Sequence, residues 1–194
     1  MIEIYTQNMG DAWFGVAFAQ QQIVTSSFGV SQQLTLSNIF GNIPFNVPFQ
    51  VLHAPSAFAK NILASLKTIY EGQNVSASFP LALNRLPAYT QKVLKATAEI
   101  PLGYVASYGS IAKAAGGGPR AVGNVMAANP FAPIVPCHRV VKSNFTLGGY
   151  GGGLKVKLEL LGREKRGFST LKELEVNGRQ LQVFPVEYVL RNLA

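Results

Sequence analysis

The sequence predicts an α+β protein in two parts, a small α/β segment over residues 1–85 and a mostly helical segment over 86–194 that holds a helix-turn-helix. Three observations predict it. Short runs rich in β-branched and aromatic residues crowd the N-terminal end, and helical periodicity punctuated by glycine and proline dominates the second half. The charge is also one-sided. Lys60, Lys67 and Arg85 balance Glu3, Asp11 and Glu71 up to residue 85, so the formal net charge of +8 comes entirely from the fourteen bases and six acids beyond it.

Residues 2–6, 12–19 and 22–28 read as a short antiparallel meander, since turn-formers separate them. The stretch 30–40 carries apolar residues at mixed spacing and fits helix or loop equally. From Ser56, the residues Phe58, Ile62, Leu63, Leu66, Ile69 and Tyr70 recur at helical spacing, and Gly72 stands where that helix stops. A boundary is expected near 81–87, where the charge balance changes.

In the second part, Tyr89, Val93, Ala96 and Ile100 form one helical stripe that Pro101-Leu102-Gly103 ends. Ser107 caps an expected helix over 108–115. Gly116, Gly117 and Gly118 break it, and Pro119 suits the first position of a helix running through 129. Two short helices around a glycine turn make a helix-turn-helix. The second helix is rich in small residues, which serves close packing in a core or a slim helix entering a DNA groove with Arg120 and Asn124 as polar contacts. Three prolines then make 129–136 an extended run into Cys137. Leu154, Leu158 and Leu161 mark a helix over about 153–163. Leu174 and Val176, then Asn177-Gly178, then Leu181 and Val183 read as a β-hairpin.

Composition excludes several classes. One cysteine, Cys137, rules out an intrachain disulfide, and with only His53 and His138 a Cys/His metal site would need carboxylate help. No run has the apolar length of a membrane span, and the opening residues lack a basic region followed by an apolar stretch, so a soluble, cytoplasmic protein is expected. A cationic second half suits a polyanionic partner, nucleic acid foremost.

Cys137 follows a proline-stiffened segment and precedes His138 and Arg139. Nearby positive charge or a hydrogen-bonded base turns a thiol into a nucleophile, whereas a lone cysteine is otherwise a small buried hydrophobe. In an extended segment the Cys137 and His138 side chains point to opposite faces, so a direct ion pair of the papain kind is awkward and a relay through water is open.

The run Pro136-Cys137-His138-Arg139-Val140 resembles the active-site signature of the O6-alkylguanine-DNA alkyltransferases. The similarity continues in order through 104–112, Arg120-Ala121-Val122-Gly123, Asn129-Pro130, Gly149-Tyr150, Gly152-Gly153-Leu154, Lys157, Leu160-Leu161 and Glu164. It covers about 86–167. The resemblance implies a ribonuclease H-like first domain, a winged helix-turn-helix second domain and a C-terminal extension from about 168. It implies a monomer without a cofactor, nucleoid-associated in a prokaryote. The activity implied is irreversible, single-turnover transfer of the alkyl group of O6-alkylguanine in double-stranded DNA to Cys137.

The same resemblance gives residue roles. His138 would take the thiol proton through a bridging water while Glu164 orients and charge-stabilises the imidazole, and Tyr108 would hydrogen-bond the leaving guanine. Lys157 stands beside the cysteine or is an ordinary helix-surface cation. Arg120 would enter the base stack as the nucleotide turns out, with Ala121 and Asn124 on the same helix against DNA. Tyr150 would wall the pocket, the backbone at Cys137 and Val140 would accept the guanine amino group, Gly151 would offer a backbone N–H, and Asn129 would brace the turn. Gly151 stands where many relatives have serine, Ala132 replaces a proline in a way expected to widen the pocket, and Ala127 lacks a cation some relatives carry. Some relatives hold zinc in the first domain, but here it has no cysteine and only His53, so no zinc is expected. Two rivals remain: a non-catalytic alkyltransferase-like protein that binds damaged DNA, and a cysteine hydrolase.

Overall fold

The structure, a computed structural model, describes residues 1–76, 78–176 and 178–192. The chain divides into two units, Met1–Arg85 with Pro130–Ile134, and Leu86–Asn129 with Val135–Ala194. The first is built on the expected meander of β1 (Ile2–Asn8), β2 (Trp13–Ala19) and β3 (Gln22–Gly29), paired antiparallel with Ile4 opposite Ala17 and Val16 opposite Ser26. The open stretch after it is helical: α1 (Gln32–Phe40) starts where the Ser31 hydroxyl accepts the N–H of Leu34 at 3.2 Å. Only Thr35 and Ile39 of α1 are buried, which is why its spacing was ambiguous. Gly15 lets α1 lie close on β2, because a Cβ there would come within 2.6 Å of Ile39 Cδ1.

A fourth strand, β4 (Phe49–Val51), joins β1 in parallel and gives the order β3-β2-β1-β4. Its three residues are all exposed, so no alternation announced it. α2 (Ala57–Tyr70) is capped by Ser56 and buries Ala59, Ile62, Leu63 and Leu66. The segment 130–134 belongs to this unit rather than to the second part, where the sequence had put it. Its carbonyls satisfy the free edge of β3: Ser26 N donates to Pro130 O at 2.9 Å and Ser26 Oγ to Ala132 O at 2.9 Å.

In the second unit α3 (Ala88–Ala98) precedes β5 (Tyr104–Ser107), α4 (Tyr108–Ala115) and α5 (Pro119–Ala127). The expected continuation of α5 through 129 does not form. Asn129 precedes Pro130, and a residue before proline is driven out of helical geometry. Cys137–Arg139 form one 3-10 turn rather than prolonging the extended run, closed by Arg139 N to Pro136 O at 2.8 Å. β6 (Val140–Val141) and α6 (Leu154–Arg163) follow.

The tail forms the expected hairpin of β7 (Lys172–Val176) and β8 (Arg179–Pro185), with Leu174 opposite Leu181, and ends in α7 (Glu187–Arg191). Asn177 of its turn lies outside the described residues. β8 pairs with β5, which pairs in parallel with β6, so this sheet runs β6-β5-β8-β7. Val105, Val141, Leu147, Leu161, Val186 and Val189 make the core beneath it. Among the described residues there are thus two four-stranded sheets and seven α-helices, a mixed α+β architecture. No helix among them is long and apolar enough to cross a membrane.

Candidate active site

The site lies within the second unit. Ser107, at the end of β5, caps α4 by accepting the N–H of Ser110 at 2.9 Å, and this sets Tyr108 at the first position of that helix. Tyr108, Gly123, Met126, Ala127, Cys137, Gly149, Tyr150 and Gly151 line a cavity of about 420 Å³. That is the size of a small-ligand pocket. Three of its wall positions are glycine, which keeps the space open. Gly148 matters for a different reason: at φ +68 its missing Cβ leaves room for the Tyr108 hydroxyl, which would otherwise be 2.9 Å away.

Cys137 is 7% exposed. Burial pushes its thiol up from the ordinary value, while a hydrogen bond from the Asn129 side chain and the charge of Lys157 pull it down. Asn129 is itself held, since its Nδ2 donates to Val135 O at 2.9 Å. Lys157 is fully buried, not a helix-surface cation, and its Nζ donates to Val140 O at 2.6 Å and Gly149 O at 3.3 Å. Burial lowers Lys157 to about 8 although the thiolate opposes this. Burial likewise raises Tyr108 and Tyr150, with the Cys137 thiolate adding to both, so these phenols stay protonated donors.

Behind the cysteine, His138 Nε2 meets Glu164 Oε1 at 2.9 Å, with both side chains 1% exposed. Burial lowers His138 against the pull of Glu164, so the imidazole is kept neutral. Its Nδ1 is buried with no hydrogen-bond partner among the described residues. Burial alone would raise Glu164, but His138 and Arg139 outweigh it and hold the carboxyl at about 2. Arg139 Nε reaches Glu164 Oε2 at 2.9 Å, its Nη2 reaches Oε1 at 2.9 Å, and its Nη1 donates to Ile100 O at 2.6 Å. The sequence reading did not place Arg139 in the site; only the fold shows it to be the second ligand of the same carboxylate.

Residues 88–166 match the family model of the 6-O-methylguanine DNA methyltransferase DNA binding domain. The methylated-DNA–protein-cysteine methyltransferase of Methanocaldococcus jannaschii is 30% identical over 160 residues, which cover 82% of this chain and 92% of that protein. This chain belongs to the methylated-DNA–protein-cysteine methyltransferase family. The relative from Methanothermobacter thermautotrophicus is 35% identical over 57% of this chain, and the match spans 64% of that protein's length. Among solved structures, OGT of Mycobacterium tuberculosis in complex with DNA superposes with a TM-score of 0.68 at 30% identity, over 84% of this chain and 92% of that one.

Against the residues that the family signature singles out, the fold gathers Tyr108, Cys137, Tyr150 and Gly151 around the cavity and stacks His138, Glu164, Asn129 and Lys157 behind or beside the thiol. The Val140 carbonyl already accepts Lys157 Nζ, so a ligand there would use its second lone pair. Arg120 and Asn124 are exposed and Ala121 half-buried on α5, while Val122, Val125 and Met126 face the core. Those three outward positions do not line the cavity, whereas Gly123, Met126 and Ala127 of the same helix do. Ala132 falls in the first unit, where its carbonyl accepts the Ser26 hydroxyl. Among the described residues no three His, Cys, Asp or Glu side chains converge as metal ligands do.

Proposed function

We propose that this protein repairs DNA by transferring the alkyl group of O6-alkylguanine to Cys137, once per molecule. The observation that carries the reading is the placement of its single thiol in the wall of a cavity of about 420 Å³, large enough to admit a purine base, with imidazole and carboxylate linked behind it. Burial keeps the resting thiol protonated and the imidazole neutral, a donor and an acceptor ready for one proton transfer. His138 Nδ1, through a water, takes the Cys137 proton, and ionised Glu164 stabilises the imidazolium that forms. The sulfur attacks the alkyl carbon in line, the new S–C bond forms as the C–O6 bond breaks, and the bond pair leaves on guanine. The Tyr108 hydroxyl hydrogen-bonds the departing base, which relieves its charge. A thioether is a poor leaving group, so the protein is spent.

A buried thiol cannot reach O6 inside a base stack, so the nucleotide must turn out of the duplex. The slim outer face of α5, with Arg120 exposed near its start, supports entry into a groove, and Arg120 takes the vacated place in the stack. We read α4 and α5 with the β7–β8 hairpin as a winged helix-turn-helix, and the antiparallel meander with its parallel fourth strand as a ribonuclease H-like domain. On this reading residues 1–85, joined by 130–134, and the rest of 86–194 act as the two domains of a DNA-bound monomer, nucleoid-associated in a prokaryote. The test is stoichiometry. With excess O6-methylguanine duplex, repair should stop at one guanine restored per protein, and Cys137→Ala should restore none. Continued turnover would indicate a hydrolase, and DNA binding without repair a non-catalytic damage-binding protein.

A further inference from the structure

Glu187 opens α7, beyond the last residue of the family match, and is 6% exposed. A buried carboxylate is unfavourable unless hydrogen bonds satisfy it. Its Oε1 accepts two successive backbone N–H groups, Arg166 at 3.1 Å and Gly167 at 2.5 Å, while Oε2 has no hydrogen-bond partner among the described residues. Two adjacent amides converging on one oxygen form an anion-binding concavity. These amides belong to the turn by which the chain leaves α6 directly after Glu164, whose own N–H still closes the helix on Leu160 and Leu161. Glu187 is anchored in turn: Val186 N donates to Gly103 O at 2.9 Å, and Val186 and Val189 share a core with Leu161 of α6.

We propose that Glu187 is a positioning residue for Glu164, clamping the turn at 166–167 so that the Glu164 carboxylate stays aimed at His138. The C-terminal extension is then part of the proton-transfer apparatus without touching substrate. One acceptor oxygen does the clamping, so glutamine can replace the carboxylate and alanine cannot. The kinetic consequence rests on the alkyl-transfer reading, but the geometric one does not.

Because Cys137 is the only cysteine, its ionisation can be followed by ultraviolet thiolate absorbance without DNA. Asn129, Lys157, Tyr108 and Tyr150, the other groups facing the thiol, are untouched by changes at position 187. Glu187→Ala should move the Cys137 titration to higher pH, since a displaced Glu164 leaves His138 less basic. It should slow transfer from an O6-methylguanine oligonucleotide about tenfold, with oligonucleotide affinity unchanged. Glu187→Gln should match the parent in both. Glu187→Asp keeps the charge but withdraws the acceptor by one methylene, and it should behave as Ala does, deciding the matter if the alanine variant does not fold. A folded Glu187→Ala or Glu187→Asp protein with the parent's titration and rate overturns the proposal, as does a glutamine variant as impaired as alanine. A parent that transfers nothing sinks the repair reading alone, because the thiolate titration still decides Glu187.

Discussion

Replacing Glu164 with glutamine probes both the fold and the chemistry of the site. The carboxylate accepts His138 Nε2 at 2.9 Å and a forked pair from Arg139 at 2.9 Å on each oxygen. Glutamine offers one acceptor oxygen and turns an NH2 toward donors already facing it, which leaves part of the mostly buried Arg139 guanidinium unpaired. Breaking a buried ion pair from one side costs about 3–5 kcal/mol, which lowers the melting temperature by about 6–20 °C for a chain of this size. Catalysis falls separately, because His138 loses the charge that stabilises its protonated form, and a lost acid-base contribution is worth about 10²-fold or more. Single-turnover transfer from an O6-methylguanine duplex, measured beside thermal unfolding, reads both. A Glu164→Gln protein melting within about 2 °C of the parent and transferring within about threefold of its rate would refute the argument that this carboxylate holds the imidazole. Acid adds a check of sign: Glu164 is held at about 2 against an ordinary 4.5, so its stabilisation is complete above the higher value and lost as pH falls through the lower.

Lys157 shows linkage of the same sign in an alkaline window. Its native value of about 8 lies below the ordinary 10.5, so the folded chain releases this proton first and stability gains from Lys157 as pH rises across that window. Lys157→Met should abolish that gain in urea unfolding at the two ends of the window, and should slow transfer by removing a charge that favours the thiolate. Gly148→Ala should push the Tyr108 phenol out of place and strain a left-handed backbone, costing about 1–2 kcal/mol and slowing transfer while leaving duplex affinity unchanged. Arg120→Ala should slow duplex repair about tenfold and change reaction with free O6-benzylguanine by less than about twofold; equal losses would show that Arg120 has no part in turning the base out.

Much of this architecture could be read from local signals. Ser56 and Ser107 mark helix starts because a hydroxyl before an apolar stripe satisfies orphan amides, and both do so here. The β7–β8 hairpin followed from its alternation and turn residues. What local signals could not convey was where such elements go. Nothing in Arg179–Pro185 says that this strand adds to β5, and a three-residue exposed strand such as β4 exists only because β1 has a free edge. At the site, the motif around Cys137 singled out the thiol together with His138 and Glu164, which the fold joins by a hydrogen bond. It did not show that Cys137 and His138 sit on a tight turn, which sends one side chain to the cavity and the other to Glu164. Lys157 lies among charged neighbours on a helix that looks solvent-facing in sequence, and only tertiary packing reveals it as buried. The partnership of Arg139 and Glu164 spans 25 residues, beyond any helical or strand period.

The most direct measurement is peptide-level mass spectrometry of the protein after reaction with an oligonucleotide carrying O6-methylguanine. The account predicts a gain of one CH2 confined to the peptide containing Cys137, in step with the appearance of unmodified guanine. Restored guanine with an unaltered Cys137 peptide, or a methyl group on any other residue, would contradict it.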